Sequence, residues 1–229
     1  NANIILKGGI YDYPVAFINK KNIYISAPNE PAYFLIPDNK STIFTIKSSE
    51  NIILHNLYFK HALPYCELSA NVIDIINSRK ITINHCYLNG SGIIGLFAEN
   101  TNGILFQDNI IEECKSYAVL LNHCKSVILA KNLIANNDGE RLKVNNTNAL
   151  KFTEWTMNSD INNVDQLIKA LTKNSIQFDI ALIRNKIIDM KGYYHSDGLN
   201  LSGTTLMEEN DIYYVNPTQY LSTKNKYPE

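Results

Sequence analysis

The residues of this chain best suited to chemistry lie in its C-terminal half. Tyr193-Tyr194-His195-Ser196-Asp197-Gly198 sets an imidazole and a carboxylate two positions apart. At that spacing one group can act as base or acid while the other orients it or partners a nucleophile. Asp-Gly is equally a good turn, so the same residues also read as a plain connection. Lys151 is a second candidate. With its pKa lowered by burial or neighbours, a lysine amine can remove a carbon-bound proton next to a carboxylate, the opening step of a β-elimination; otherwise it is a solvated surface charge. Glu154 and Trp155, the only tryptophan, follow directly. Asp74 and Glu99 are carboxylates able to hold a calcium ion that neutralises a substrate's own charge, or ordinary surface acids. Cys66, Cys86, Cys114 and Cys124 are irregularly spaced without a C-x-x-C, which indicates neither zinc nor a redox pair. They read as small buried residues, with a disulfide as the lesser alternative. His55, His61, His85 and His123 stand at unrelated offsets and read as structural or surface residues rather than metal ligands.

Composition narrows what these residues can serve. The chain has 229 residues, 45% hydrophobic and 19% charged, enough for one core and one domain over 1–229. With 21 Lys+Arg against 22 Asp+Glu and a net charge of -1, there is no electrostatic footprint for nucleic acid or for an anionic membrane. Apolar runs such as Ile52–Leu54 and Ala118–Leu121 fall far short of the roughly 18 residues that cross a bilayer. The chain opens Asn1-Ala2-Asn3 without a Met, so a missing leader says nothing about destination. One residue type is skewed: 31 Asn, beside 18 Lys and only Arg79, Arg141 and Arg184.

The elements that must position the candidates come from a repeat. Ile81-Thr-Ile-Asn-His-Cys86, Ile104-Leu-Phe-Gln-Asp-Asn109, Val127-Ile-Leu-Ala-Lys-Asn132 and Ile180-Ala-Leu-Ile-Arg-Asn185 share a register, with steps of 23 and 23 residues between the first three. Weaker copies lie near Asn56 and Asn210. The segments are short, β-branched and bounded by Gly, Asn and Ser, which predicts strands and tight turns. Eight and six residues before each anchor stand Val15/Phe17, Phe44/Ile46, Ile73/Ile75, Leu96/Ala98 and Val119/Leu121, all apolar. An apolar column running from coil to coil is what a stacked solenoid requires. An Asn at each turn can adopt left-handed backbone and bond the same amide in the next coil.

On these residues the chain resembles the right-handed parallel β-helix of pectate-lyase-like proteins, across most of residues 4–213. The openings Asn3-Ile-Ile-Leu-Lys-Gly-Gly-Ile-Tyr11 and Asn22-Ile-Tyr-Ile-Ser-Ala-Pro28 are similar to the first coils of polysaccharide lyases and epimerases of that fold. The resemblance implies an all-β solenoid of about seven coils, with first strands near 15–18, 43–47, 72–76, 95–99, 118–122, 149–153 and 198–202. Residues 154–179 form an insertion, where Asn162 to Leu171 has the pattern of a short amphipathic helix, and 216–229 are a cap or tail.

In that family the outward face of the first-strand sheet is the floor of a groove for polymeric substrate. One outward column then reads Thr45, Asp74, Phe97, Leu120, Lys151 and Asn200, and the next Lys47, Ile76, Glu99, Asn122, Thr153 and Ser202. The floor turns from apolar to polar beside the insertion that carries Glu154 and Trp155, which predicts a cleft there suited to a sugar. The resemblance implies Lys151, Glu154, His195 and Asp197 as catalytic residues, Trp155, Tyr194, Asn200, Asn122 and Glu99 as substrate contacts, and Asp74 as a metal ligand. His195-Ser-Asp-Gly198 is similar to the Ser-Asp-Gly and Thr-Asp-Gly segments that enter this strand in β-helix glycan enzymes. The polygalacturonase pattern of Asp-Asp, Gly-His-Gly and Arg-Ile-Lys is absent, as are the epimerase Asp-Pro-His and the Arg-His-Gly of chondroitinase-like lyases. The expectation is a secreted, periplasmic or cell-surface protein that cleaves a polysaccharide by elimination or hydrolysis, with calcium as the one cofactor in view. Its rival is a non-catalytic glycan-binding or adhesin segment. Open solenoid ends expose strand edges, so a capping domain or a homo-oligomer is expected to cover them.

Overall fold

The computed structural model describes residues 1–63, 70–89 and 93–135, and beyond them the backbone of seven strands between 140 and 221. The chain winds through three parallel sheets in turn. Sheet A stacks β1 (Ala2–Ile5), β4 (Lys21–Ser26), β7 (Glu50–His55), β10 (Arg79–Asn84), β13 (Asn102–Gln107), β16 (Lys125–Ala130), β19 (Ile180–Ile183) and β22 (Thr205–Glu208). Sheet B stacks β2 (Gly9–Tyr11), β5 (Ala32–Ile36), β8 (Leu57–His61), β11 (Tyr87–Asn89), β14 (Ile110–Glu112), β17 (Leu133–Ala135), β20 (Lys186–Asp189) and β23 (Asp211–Asn216), closed by the antiparallel β24 (Gln219–Leu221). Sheet C holds β3 (Val15–Ile18), β6 (Phe44–Lys47), β9 (Ile73–Ile76), β12 (Ile94–Glu99), β15 (Tyr117–Asn122), β18 (Glu140–Asn145) and β21 (Leu199–Asn200).

Side-chain alternation explains the stacking. The expected columns in sheet C are inward: Phe44, Ile46, Ile73, Ile75, Leu96, Ala98, Val119 and Leu121 are fully buried. Sheets A and B add Ile52, Leu54, Ile81, Ile83, Phe106, Phe59 and Leu88 to the same core. A strand of four to six residues buries too little alone, so each coil is stable only against its neighbours. Gly95 is required by close approach, because a Cβ there would lie 2.7 Å from the Ala118 carbonyl oxygen and 2.7 Å from the Ile111 side chain.

The corners follow one rule. The first corner residue is left-handed and, beyond the exposed Lys20 of the first coil, the second points inward. Between sheets C and A the left-handed residues are Asn19, Ser48, Asn77, Asn100 and His123; between A and B they are Asn56, His85, Asp108 and Lys131. The inward residues form polar ladders. From sheet A to B, Asn109 Oδ1 accepts from the Cys86 amide at 2.8 Å, and Asn109 Nδ2 donates to Asn132 Oδ1 at 3.2 Å and to the Ile83 carbonyl at 2.9 Å. From sheet C to A, the amides of Lys20, Ser49 and Ser78 donate to the hydroxyls of Ser49, Ser78 and Thr101 at 3.1, 3.1 and 3.3 Å. The sequence pattern assigned both jobs to one Asn; the structure divides them. Asn56 is a left-handed residue whose amide reaches the Ala27 carbonyl, and Asn109 and Asn132 are the ladder.

Three cysteines obey the same rule. Cys86, Cys114 and Cys124 are free and buried at the inward corner position, each thiol facing the carbonyl two residues back: Asn84 at 3.4 Å, Glu112 at 3.7 Å and Asn122 at 3.4 Å. Cys66 lies outside the described residues.

The sixth strand of sheet C corrects the expected coil boundaries. It is Glu140–Asn145, not 149–153, and pairs Leu120 with Lys143 and Asn122 with Asn145. The 23-residue step simply runs on for another coil. The break before the next sheet-A strand therefore spans 146–179 rather than 154–179, and the expected helix at 162–171 lies outside the described residues.

Candidate functional site: the outer face of sheet C

Register assembles the outward columns. The first runs Thr45, Asp74, Phe97, Leu120, Lys143 and Asn200 through paired strands; the second runs Lys47, Ile76, Glu99, Asn122 and Asn145. Apart from the exposed Lys47, the described side chains from Thr45 to Asn122 are half-buried, as expected of a pleated outer face. The expected passage from apolar Phe97 and Leu120 to polar positions is present. The lysine that takes it up in register is Lys143. Ala149-Leu-Lys-Phe-Thr153 also alternates and so draws the expected strand too far along the chain; the 23-residue period carried forward from Leu120 is the signal that finds β18.

Asp74 is the best-defined polar group of the floor. Its Oδ1 accepts from Asn71 Nδ2 at 2.8 Å and its Oδ2 from Thr42 Oγ1 at 3.2 Å. Burial pushes its pKa above the ordinary carboxylate value, against the two hydrogen bonds, which pull it down. Both donors are neutral, so no cation offsets the desolvation. A carboxyl held this way keeps its proton to higher pH than a surface acid, as a general acid requires. Asn71 and Thr42 carry no motif, and the sequence reading missed them.

The other candidates divide clearly. Glu99 and Asn122 are paired neighbours in one column, on β12 and β15, and Asn200 pairs with Lys143. The segment 193–198 leads straight into β21 at Leu199. Lys151, Glu154, Trp155, Tyr194, His195 and Asp197 lie outside the described residues. Asp74 and Glu99 fall in different columns, Asp74 opposite Phe97 and Glu99 opposite Ile76. Among the described residues no group of three or more His, Cys, Asp or Glu side chains gathers for a metal ion. His61 is buried with Nε2 2.9 Å from the Ser41 carbonyl oxygen, while His85 and His123 are left-handed corner residues, in keeping with structural roles.

A family model described as a right handed beta helix region matches residues 34–187. The chain belongs to the right-handed β-helix family. A search of curated proteins finds no match to this β-helix protein. Among solved structures it is similar to pectin methylesterase from Aspergillus niger, at 10% identity and a TM-score of 0.46, over 98% of this chain and 73% of that one. It is likewise similar to Jun a 1, the major allergen from cedar pollen, at 12% identity and 0.46, over 99% and 73%. A third is the A-module of mannuronan C-5 epimerase from Azotobacter vinelandii, at 12% and 0.43, over 94% and 59%. These likenesses are of fold, and one such scaffold hosts many activities.

Proposed function

We propose that this β-helix protein binds and cleaves an extracellular polysaccharide along the outer face of sheet C. The observation that carries the reading is the paired polar end of that face. Glu99, Asn122 and Asn145 stand in one column, beside a column that passes from Phe97 and Leu120 to Lys143 and Asn200. Apolar positions beside fixed amides and charges suit a sugar, whose CH faces and hydroxyls need both. The two columns run along the coil axis, so they suit a polymer rather than a single sugar. In a β-elimination Lys143, in the register place first given to Lys151, removes the proton next to the uronate carboxylate. In a hydrolysis Asp197 and Glu154 supply the acid and base, with His195 orienting one of them. In either reaction Trp155 and Tyr194 serve as aromatic contacts for the sugar.

The test is incubation with alginate, pectate and chondroitin sulfate, with and without calcium, following the ultraviolet absorbance of an unsaturated product. Elimination gives a rise that Lys143→Ala abolishes and Lys151→Ala leaves intact; the reverse pattern returns the base to Lys151. A flat trace together with new reducing ends that Asp197→Asn removes identifies hydrolysis. Neither signal on any polymer refutes cleavage.

A further inference from the structure

The outer face of sheet B carries a feature that the sheet C groove does not use. Ile10, Tyr33, Tyr58 and Tyr87 occupy the same register position in β2, β5, β8 and β11. The rings of Tyr33 and Tyr58 are 5.0 Å apart and those of Tyr58 and Tyr87 5.8 Å, so the strip places one aromatic ring per coil along the solenoid axis. It lines an open groove of about 660 Å³. Ile10 is 67% and Tyr33 44% exposed, an apolar surface that a soluble face rarely leaves bare without a use.

A polar row runs beside the rings. Lys60, Asn89 and Glu112 pair with one another across β8, β11 and β14. Asn89 Nδ2 donates to Tyr87 Oη at 2.9 Å, and Tyr87 Oη donates to Glu112 Oε2 at 2.9 Å. Burial and the adjacent Glu112 push the Tyr87 phenol up to about 12, so it stays a donor, and its bonds with Glu112 and Asn89 hold the ring. Lys60, exposed in the groove, makes no ion pair among the described residues.

We propose that this strip is a second carbohydrate-binding face, which takes an acidic, uronate-containing polysaccharide laid along the coil axis. Rings repeating at about the length of one pyranose residue stack on successive sugar faces, and the exposed Lys60 ammonium, which has no ion pair among the described residues, pairs with a uronate carboxylate. Glu112 keeps its charge, and it stands two strands from Lys60, at the far end of the strip. The acidic ligand is argued from Lys60, independently of the groove over sheet C.

The test is affinity electrophoresis of the full chain through gels carrying pectate, alginate or a neutral glucomannan. Three variants are compared with wild type: Tyr33→Ser/Tyr58→Ser, Lys60→Gln, and Asn122→Ala/Lys143→Ala on sheet C. The tyrosine pair lowers polyuronate affinity by about tenfold or more, the scale expected when stacked aromatic contacts are truncated together. Lys60→Gln weakens binding to the polyuronates alone. The urea midpoint of each variant reports folding, and should the double variant unfold, Tyr33→Ser alone, at the exposed end of the strip, reads the same loss. Full retention in both the tyrosine and the lysine variants, with loss only in the sheet C variant, overturns the strip and keeps the groove. Loss in the strip variants with the sheet C variant unaffected keeps the strip and counts against the groove. Retention by the neutral polymer alone, or a dimer that the tyrosine variants dissociate and no polymer binds, also overturns the proposal.

Discussion

Replacing Asn109 tests whether the corner ladder stabilises the solenoid. The side chain is 1% exposed and serves three partners: it accepts from the Cys86 amide and donates to the Ile83 carbonyl and to Asn132 Oδ1. Asn132 Oδ1 still receives the Asn109 backbone amide at 2.9 Å after truncation, so Asn109→Ala orphans the Cys86 N–H and removes the side-chain bond to the Ile83 carbonyl. Each buried orphan costs about 1–3 kcal/mol, and the emptied corner adds to that. The expected loss is about 2–5 kcal/mol in urea unfolding, with an unchanged m-value because the same surface unfolds. Asn109→Asp sharpens the test. A carboxylate there can accept from Cys86 but meets two further acceptors where Asn109 has donors. Its folded-state pKa is therefore raised, so the variant is most stable below the unfolded value near 3.9 and loses stability as pH rises through the folded value. The control is Asn51→Gly, which deletes an exposed amide bonded to Asn22 at 2.8 Å while keeping the left-handed backbone; it should cost under about 0.5 kcal/mol. A loss for Asn109→Ala under about 1 kcal/mol, or no larger than the control, would refute the reasoning.

Further expectations follow from the same contacts. Cys86→Asn should stabilise by about 1 kcal/mol in urea unfolding, because an amide there reaches the Leu54 carbonyl that the thiol now faces at 3.8 Å; destabilisation would mean the corner lacks the room. Burial pushes the Cys86 thiol up to about 12 and that of Cys124 up to about 11, so in a Cys66→Ser background a thiol reagent near pH 8 should label the protein only after unfolding. Gly95→Ala should lower stability by about 1–3 kcal/mol, as the new methyl meets backbone that must shift. Asp74→Asn should be neutral or stabilising near pH 7. The raised Asp74 pKa means that its contribution is fullest below the unfolded value and is lost as pH rises through the folded one; a variant that instead loses stability at neutral pH would show the ionised form to be favoured.

What was legible in the sequence is what recurs. Aliphatic pairs at 23-residue steps set the coil length, and the inward columns such as Ile73/Ile75 and Leu96/Ala98 set the register, because core positions are constrained in every coil. The left-handed positions are only half legible. Asn19, Asn22, Asn51, Asn56, Asn77 and Asn100 carry the signal and His85, Asp108 and His123 a weaker one, but Ser48, Lys80, Glu113, Ser126 and Lys131 adopt the same backbone with no such preference. The hydroxyl ladder through Ser49, Ser78 and Thr101 escaped notice because serine and threonine are as common on surfaces as in corners. Strand β18 is legible only through the 23-residue period, because Ala149-Leu-Lys-Phe-Thr153 alternates as well as Glu140-Arg-Leu-Lys-Val-Asn145 does.

That ambiguity shows why the fold of a solenoid is easier to read than its site. Inward columns and corners are repeated from coil to coil, so an error in one coil is outvoted by the others. Outward positions answer to no such repeat: Thr45, Asp74, Phe97, Leu120, Lys143 and Asn200 share a column and no chemistry. Their identity as neighbours comes entirely from register, and a shift of β18 by a few residues exchanges one lysine for another at the position where a base is wanted. The same logic raises the weight of Tyr33, Tyr58 and Tyr87. Three outward positions that share a residue type in consecutive coils are free of the packing constraint that makes inward columns alike, so their likeness calls for a cause outside the core, and a polymer with a matching repeat supplies one.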